Sequence, residues 1–210
     1  MKSWGFFLGE GRAPDDRELS EVRSRVGHGH LVLDSAERTV RFDRPGIELG
    51  LGGIAKGYAV DRVVQMLRRH EIRAALVSAG GSTVFALGAP PGRKSWEVRV
   101  QDPTDSGRTA LTIRLRDRAL SVSGSSEKWF EAGGTRYSHV MDPRTGRTAE
   151  GVLSVAVVAA TGTVGDALDN AFFVEGVEKT REHLRRLPPT EVVFFLPRAK
   201  EGWTIVRLKN

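Results

Sequence analysis

The chain has 210 residues, which suits one domain, and 40% of them are hydrophobic, enough for a core without covalent staples. It contains no Cys, which excludes disulfide frameworks, thiolate nucleophiles, Cys-bound zinc and lipid attachment to Cys. Its 32 basic residues, 25 of them Arg, outnumber the 26 acidic ones and give a net charge of +6, a composition that favours phosphate and carboxylate contacts.

Residues 14–25 are the first predicted helix, because a Pro is followed there by an acidic first turn. A second helix is predicted over roughly 54–70, and two more over 164–174 and 178–186. The predicted buried face of the second helix consists of Ala59, Val63, Met66 and Leu67. Strands are predicted over 31–34, 39–42, 47–49, 74–77, 96–100, 111–115, 120–123, 136–141, 153–158, 192–196 and 204–208. Interspersed helices and antiparallel strands indicate an α+β fold.

The N-terminal stretch, residues 1–8, is too short and too polar for a secretory signal. No apolar run is long enough to cross a bilayer, so we expect no membrane span and, as the sequence stands, a cytoplasmic protein. No basic stripe carries interleaved aromatic residues, so we expect no nucleic-acid partner. The oligomeric state is not readable from the sequence.

A glycine-rich stretch, GLGGIAKG at 50–57, opens the second helix and allows backbone N–H groups to approach an anion. The letters G-x-G-x-x-A at 50–55 match the dinucleotide fingerprint, which leaves a nicotinamide-dependent oxidoreductase as one alternative. However, the next strand ends at Ser78 and not at the acidic residue that would hold a ribose hydroxyl. The P-loop pattern fails because Gly57 follows Lys56. The glycines therefore indicate either an anion site or only a close contact between strand and helix.

A second candidate is the run SHVMDPRTG at 138–146. His139 lies three residues before Asp142, where a strand enters a tight turn. A neutral His can act as a general base near pH 7, and Arg144 can pair with a phosphate. The alternative is an Asp-Pro turn with a hydrogen-bonded His.

A third candidate is the run GDALDN at 165–170. Asp166 and Asn170 are four residues apart, so they share a face of a helix. A carboxylate and an amide oxygen can form part of the coordination shell of Mg²⁺. The alternative is an acidic residue that only stabilises the helix dipole.

Five runs, taken in this order, resemble the ApbE family, the FAD:protein FMN transferases. They are LGGIAKGYAVD at 51–61, VSAGG at 77–81, SGS at 123–125, SHVMDPRTGR at 138–147 and GDAL at 165–168. The similarity extends from about Trp4 to the C-terminus. It implies a T-fold-like α+β architecture that binds FAD with Mg²⁺. It also implies an enzyme that splits the FAD pyrophosphate and moves FMN onto a Ser or Thr hydroxyl of a target flavoprotein.

The resemblance also implies roles for individual residues. His139 and Asp142 are the catalytic candidates, with His139 as the base that activates the acceptor hydroxyl. The metal candidates are Asp166, Asn170 and the backbone carbonyl of Gly53. The expected FAD-binding residues are Gly52, Gly53, Ala55, Lys56, Asp61, Ser123, Gly124 and Arg144.

This chain departs from the family pattern at several positions. Gly50 stands where the family usually has Asp, Val122 and Asn170 replace Thr residues, and Ser126 replaces an aromatic residue. Family members usually carry a further N-terminal portion, so we expect one ApbE-like domain over 1–210 that lacks it. These departures keep open a non-catalytic homologue that binds flavin or a partner protein without transfer.

Overall fold

The computed structural model describes residues 1–7, 9–126, 128–200 and 202–210. The chain divides into two compact units, Met1–Gly50 with Glu127–Ala149, and Leu51–Ser126 with Glu150–Asn210. The helices are α1 (Asp16–Arg23), α2 (Ala55–Arg69) and α3 (Gly162–Leu184). The strands are β1 (Leu31–Asp34), β2 (Thr39–Phe42), β3 (Ala75–Ala79), β4 (Thr83–Leu87), β5 (Trp96–Gln101), β6 (Thr109–Leu115), β7 (Arg118–Gly124), β8 (Trp129–Ala132), β9 (Thr135–Ser138), β10 (Ser154–Ala159), β11 (Glu191–Pro197) and β12 (Trp203–Lys209). This mixture confirms the α+β prediction.

The second unit is built on a six-stranded sheet in the order β12-β11-β10-β7-β4-β3, in which every neighbouring pair is antiparallel. Successive residues of a strand point to opposite faces. Ala86 of β4 therefore packs in one cluster with Leu115 of the β5–β6 hairpin. Its neighbour Phe85 packs in another cluster with Val60 and Val64 of α2. The sheet thus lies between a hairpin on one face and α2 on the other.

The buried face of α2 differs from the prediction. The structure buries Val60 and Val64 and partly buries Leu67. The exposed residues of the predicted face are Ala59, Val63 and Met66. The helix carries apolar residues on two adjoining faces, and helical periodicity cannot tell which of them meets the sheet.

The long helix α3 replaces the two helices predicted over 164–174 and 178–186. It runs through both ranges but breaks at Gly176, whose φ of 74° is non-helical. Glycine adopts this conformation without a steric penalty, which explains the break within one hydrogen-bonded element. Among the described ranges, no helix is long and apolar enough to cross a membrane.

One predicted strand is wrong, and two strands of the structure are absent from the prediction. Ile47–Leu49 is not a strand in the structure. Strand β4 was not predicted, although it is buried throughout and forms a hairpin with β3. Strand β8 was also not predicted and pairs with β9 across Gly133 and Gly134, both with positive φ. Glycine-rich turns that close short hairpins were the signal that could have revealed β4 and β8.

The first unit contains α1 and two hairpins, β1–β2 and β8–β9. Its aromatic cluster joins Trp4, Phe6, Phe130 and Tyr137, with ring centroids between 5.1 and 6.4 Å apart. Trp4 is buried, and its indole Nε1–H donates to the backbone carbonyl of Gly146 at 2.9 Å. The turn at the end of the SHVMDPRTG run is therefore fastened to the aromatic core of this unit.

Candidate functional site

Helices α2 and α3 meet at a contact that only glycine permits. A Cβ on Gly57 would lie 2.1 Å from the carbonyl oxygen of Gly162, and a Cβ on Gly162 would lie 2.7 Å from that of Gly57. Either atom would overlap the opposite backbone. For Gly57, close packing is therefore a sufficient reason for glycine.

Two carboxylates, one on each helix, accept hydrogen bonds from the backbone of the other helix. Asp166 of α3 accepts the N–H of Gly57 at 2.8 Å, in the first turn of α2. Asp61 of α2 accepts the N–H groups of Gly162 at 2.6 Å and Thr163 at 2.8 Å, at the start of α3. The first N–H groups of a helix have no partner within that helix. Each helix thus satisfies unpaired donors of the other, and Asp61 has a structural role whatever else it contacts.

Lys56 places a positive charge beside the buried carboxylate. Its Nζ lies 3.7 Å from Oδ1 of Asp166 and 3.5 Å from the carbonyl oxygen of Gly52. The Asp166 side chain is 1% exposed, whereas that of Lys56 is 38% exposed. The ammonium group therefore lies between a buried anion and solvent, which is a position from which it can meet an anionic ligand.

Asn170 joins the glycine stretch to strand β7. A Cβ on Gly53 would lie 3.5 Å from Nδ2 of Asn170, so the glycine backbone passes directly beside this amide. The hydroxyl of Ser123 donates to Oδ1 of Asn170 at 3.3 Å. The nitrogen end of the amide thus faces Gly53 and its oxygen faces Ser123. Asp166 lies one helical turn earlier on α3, and carboxylate, amide and backbone carbonyl oxygens are ligand types that suit Mg²⁺.

The candidate ligands for a cation are oxygen atoms of several chemical types. In the described part of the chain, no group of three or more His, Cys, Asp or Glu side chains is placed to hold a metal ion. A site at Asp166 would therefore depend on an amide, backbone carbonyls and bound substrate for its remaining oxygens. Magnesium commonly binds through one or two carboxylates together with substrate phosphates, so the residues present fit this ion.

Sequence reasoning missed Asp169. Its carboxyl group is 1% exposed. Burial raises its pKa to about 7, a hydrogen bond from Ser121 opposes the rise, and the negative charge of Asp166 adds to it. The spacing of three residues from Asp166 placed both acids on one helix face and was the signal that could have identified Asp169.

In the first unit, the ring of His139 is fixed by a backbone contact. Nδ1 of the ring lies 3.3 Å from the carbonyl oxygen of Lys128. The backbone N–H of His139 donates to the same oxygen at 3.0 Å. A carbonyl only accepts, so Nδ1 carries the proton when the ring is neutral. The basic lone pair of the neutral ring is therefore on Nε2.

Asp142 and Arg144 form a close ion pair in the turn that follows. Arg144 donates from Nε to Oδ1 of Asp142 at 2.8 Å and from Nη2 to Oδ2 at 2.7 Å. Asp142 also accepts the backbone N–H of Arg144 at 2.8 Å. This carboxylate therefore shapes the turn and orients the guanidinium.

The structure brings one subset of the predicted site residues together in the second unit. That subset is Gly52, Gly53, Lys56, Ser123, Asp166 and Asn170. Asp61 lies at the start of α3, Gly124 follows Ser123 on β7, and Ala55 is the exposed first residue of α2. His139, Asp142 and Arg144 belong to the first unit. The roles assigned to all these residues stay predictions.

Comparison with known proteins supports one family. The sequence model of the ApbE family matches residues 1–194. An FAD:protein FMN transferase of Treponema pallidum is 36% identical over 94% of this chain and 58% of its own length. A protein of the same name from Rhodobacter capsulatus is 40% identical over 85% of this chain and 34% of its own. The chain thus spans between a third and three fifths of the length of these relatives.

Solved structures agree with this assignment. The ApbE protein of Thermotoga maritima superimposes with a TM-score of 0.84 at 32% identity, over 97% of this chain and 65% of that protein. The flavin transferase ApbE of Vibrio cholerae gives a TM-score of 0.80 at 28% identity, over 98% of this chain and 65% of that protein. The fold and the sequence together show that this chain belongs to the ApbE family.

Proposed function

We propose that the chain is a flavin transferase, which cleaves FAD and attaches FMN to a Ser or Thr hydroxyl of an acceptor flavoprotein. The observation that carries the proposal is the Lys56 ammonium, 3.7 Å from the buried carboxylate of Asp166, at the glycine-rich start of α2. Relatives that span more residues bear the name of this reaction, which supports the same assignment here.

The second unit is proposed to hold the pyrophosphate of FAD. Lys56 offers a compact positive charge, and the start of α2 offers the positive end of the helix dipole. Gly52 and Gly53 are exposed, so a phosphate can approach their backbone. Cleavage of a pyrophosphate depends mainly on charge neutralisation and positioning, and these groups supply both.

Asp166, Asn170 and the carbonyl of Gly53 are proposed to hold Mg²⁺. Their oxygens suit this ion, and the carboxylate is already fixed by the N–H of Gly57 at 2.8 Å. When bound, Mg²⁺ neutralises negative charge on the pyrophosphate oxygens. The protein residues would hold and orient this charge, while Lys56 would pair with the phosphates.

His139 is proposed as the base for the acceptor hydroxyl. With the Nδ1 proton directed at Lys128, Nε2 is the nitrogen that can accept a proton. The acceptor oxygen would bond to the phosphorus of the FMN moiety while the bond from that phosphorus to the AMP oxygen breaks. The hydroxyl proton passes to Nε2, and AMP leaves. Arg144, oriented by Asp142, is proposed to pair with a phosphate oxygen.

The test is incubation with FAD, Mg²⁺ and an acceptor flavoprotein, followed by intact mass analysis of the acceptor and assay of AMP. We expect an FMN adduct with the unchanged chain, and a rate about 10²- to 10⁴-fold lower for His139→Asn. His70→Asn, at the exposed end of α2, is the matched control and should transfer normally. Neither adduct nor AMP from the unchanged chain would refute the transferase proposal. Bound FAD without AMP release would instead support a non-catalytic flavin-binding homologue.

A further inference from the structure

The two oxygens of the Asp166 carboxylate have different surroundings. Oδ2 accepts the N–H of Gly57 at 2.8 Å, in the contact between α2 and α3. Oδ1 faces the Lys56 ammonium at 3.7 Å, a separation that is longer than a hydrogen bond. The lone pairs of Oδ1 are therefore not held by a hydrogen bond from Lys56, and a metal ion on this carboxylate would bind Oδ1.

The Lys56 ammonium lies beside both kinds of oxygen that the proposed metal ion needs. Its Nζ is 3.7 Å from Oδ1 of Asp166 and 3.5 Å from the carbonyl oxygen of Gly52, which adjoins the proposed ligand Gly53. The Asp166 side chain is 1% exposed, so water screens little of the repulsion between two cations at this carboxylate. An ion on Oδ1 would therefore repel the ammonium from its present position.

A pyrophosphate would change this balance. The Lys56 side chain is 38% exposed, and its flexible aliphatic stem lets the ammonium move outward to a phosphate. Mg²⁺ commonly binds through one or two carboxylates and takes further oxygens from substrate phosphates. Negative charge placed between the ammonium and the metal ion would thus attract both and offset their repulsion.

We propose that the Lys56 ammonium competes with the divalent cation for Asp166, so that the site binds this cation weakly alone and more tightly together with the pyrophosphate of FAD. The inference rests on the Mg²⁺ and FAD sites of the proposed function. Coupling between two ligands is reciprocal, so the cation raises the affinity for FAD by the same factor. Lys56 thereby favours FAD that is already paired with a metal ion over either ligand alone.

The first test is titration of the full chain with Mn²⁺, a spectroscopic substitute for Mg²⁺, followed by electron paramagnetic resonance without FAD or acceptor. We expect Lys56→Met to bind Mn²⁺ about tenfold more tightly than the unchanged chain, because the competing charge is gone. Lys56→Arg keeps that charge and should stay within about threefold of the unchanged chain. Lys94→Met is the control, because it removes an exposed lysine between β4 and β5 and should bind Mn²⁺ normally.

The second test measures the coupling between the two ligands by flavin fluorescence. Saturating Mg²⁺ should raise the FAD affinity of the unchanged chain at least about tenfold over its value in EDTA. In Lys56→Met this increase should be several-fold smaller, because no repulsion remains to be relieved. A lysine that only contacts phosphate would lower the FAD affinity equally with and without Mg²⁺, so the comparison separates the two roles.

The folding of the variant provides a further readout. Lys56→Met leaves the buried Asp166 carboxylate without its counter-ion, so it should unfold at a lower urea concentration in EDTA. Mn²⁺ should then raise the unfolding free energy of Lys56→Met more than that of the unchanged chain. The coupling measured on the unchanged chain does not depend on how any variant folds.

Two results would overturn the proposal. One is Mn²⁺ binding by Lys56→Met that is equal to or weaker than that of the unchanged chain. The other is an FAD affinity of the unchanged chain that is the same with Mg²⁺ and with EDTA. Neither test contains an acceptor or scores FMN transfer, so a chain that fails to transfer FMN but shows both effects would refute the proposed reaction and leave this inference intact.

Discussion

The carboxylate of Asp166 in α3 accepts a hydrogen bond from the backbone N–H of Gly57 in α2, at 2.8 Å. Its second oxygen lies 3.7 Å from the Lys56 ammonium. One buried side chain therefore joins the two helices and also forms the negative centre of the candidate site. A change that separates the helices should therefore disturb the site as well.

Gly57→Ala should destabilise the second unit. The new Cβ would lie 2.1 Å from the carbonyl oxygen of Gly162, and backbone cannot move aside as a flexible side chain does. Overpacking of this kind costs about 3 kcal/mol, measurable by urea unfolding. Gly50→Ala is the control, because its Cβ would meet no atom within 4 Å. Equal unfolding midpoints for both variants would contradict the close helix contact.

Asp61 should contribute to the folding stability of the second unit. Asp61→Ala removes the acceptor for the N–H groups of Gly162 and Thr163 at the start of α3 and should cost about 2 kcal/mol in unfolding free energy. Asp61→Asn keeps one acceptor oxygen and should lose less. If Asp61→Ala keeps its stability while FAD affinity falls, the residue belongs to the cofactor site and not to the cap.

The stability of the chain should fall as the pH rises toward neutrality because of Asp169. Burial raises the folded-state pKa to about 7 from an ordinary value of 3.8, so the folded state holds this proton more tightly than the unfolded state. The stabilisation is complete below pH 3.8 and is lost as the pH rises to about 7. The full change is on the order of 4 kcal/mol.

Asp169→Asn isolates that contribution. Urea unfolding in the presence of EDTA should show a shallower decline between pH 4 and 7 for the variant, which should be the more stable protein at about pH 8. EDTA removes cations that would otherwise favour the ionised carboxylate. The same pH dependence in the variant and the unchanged chain would contradict the assignment to Asp169.

Thr180→Val should stabilise α3. Within the described part of the chain, the fully buried hydroxyl of Thr180 has no hydrogen-bond partner. The residue four positions earlier is Gly176, whose non-helical backbone removes the usual carbonyl acceptor. Removing an unpaired buried hydroxyl should gain about 1 kcal/mol by urea unfolding.

Thr163→Val is the opposite case and serves as the control. The hydroxyl of Thr163 donates to Asp61 at 2.5 Å, so its removal should lower stability. A gain from both substitutions would mean that hydroxyl pairing does not decide the outcome.

Local patterns predicted much of the fold. Strands β5 and β6 show the exposed and buried alternation that the sequence predicted. The prediction of the buried face of α2 was wrong because two adjoining faces of this helix are apolar. Only the contacts of α2 with the sheet and with α3 decide which face is buried. Ile47–Leu49 is apolar at alternate positions, yet it pairs with no strand among the residues that the structure describes, and pairing is a property of the whole fold.

The candidate site was predicted in part. The motifs identified Lys56, Asp166 and Asn170, and the structure places them together. The second role of Asp166, as hydrogen-bond acceptor for the backbone of α2, could not be predicted, because this contact depends on how α2 crosses α3. The contact between Asn170 of α3 and Ser123 of β7 depends on how the helix packs against the sheet, and the sequence gives no sign of their proximity.

The most direct test of the account is a count of products in a single reaction with FAD, Mg²⁺ and an acceptor flavoprotein. The unchanged chain should form FMN–acceptor adduct and AMP in equal amounts. Asp166→Asn keeps an oxygen for the N–H of Gly57 but loses the charge, so it should fold and form adduct roughly 10²-fold more slowly. Adduct formation by Asp166→Asn at the unchanged rate, or FAD left intact by the unchanged chain, would contradict the account.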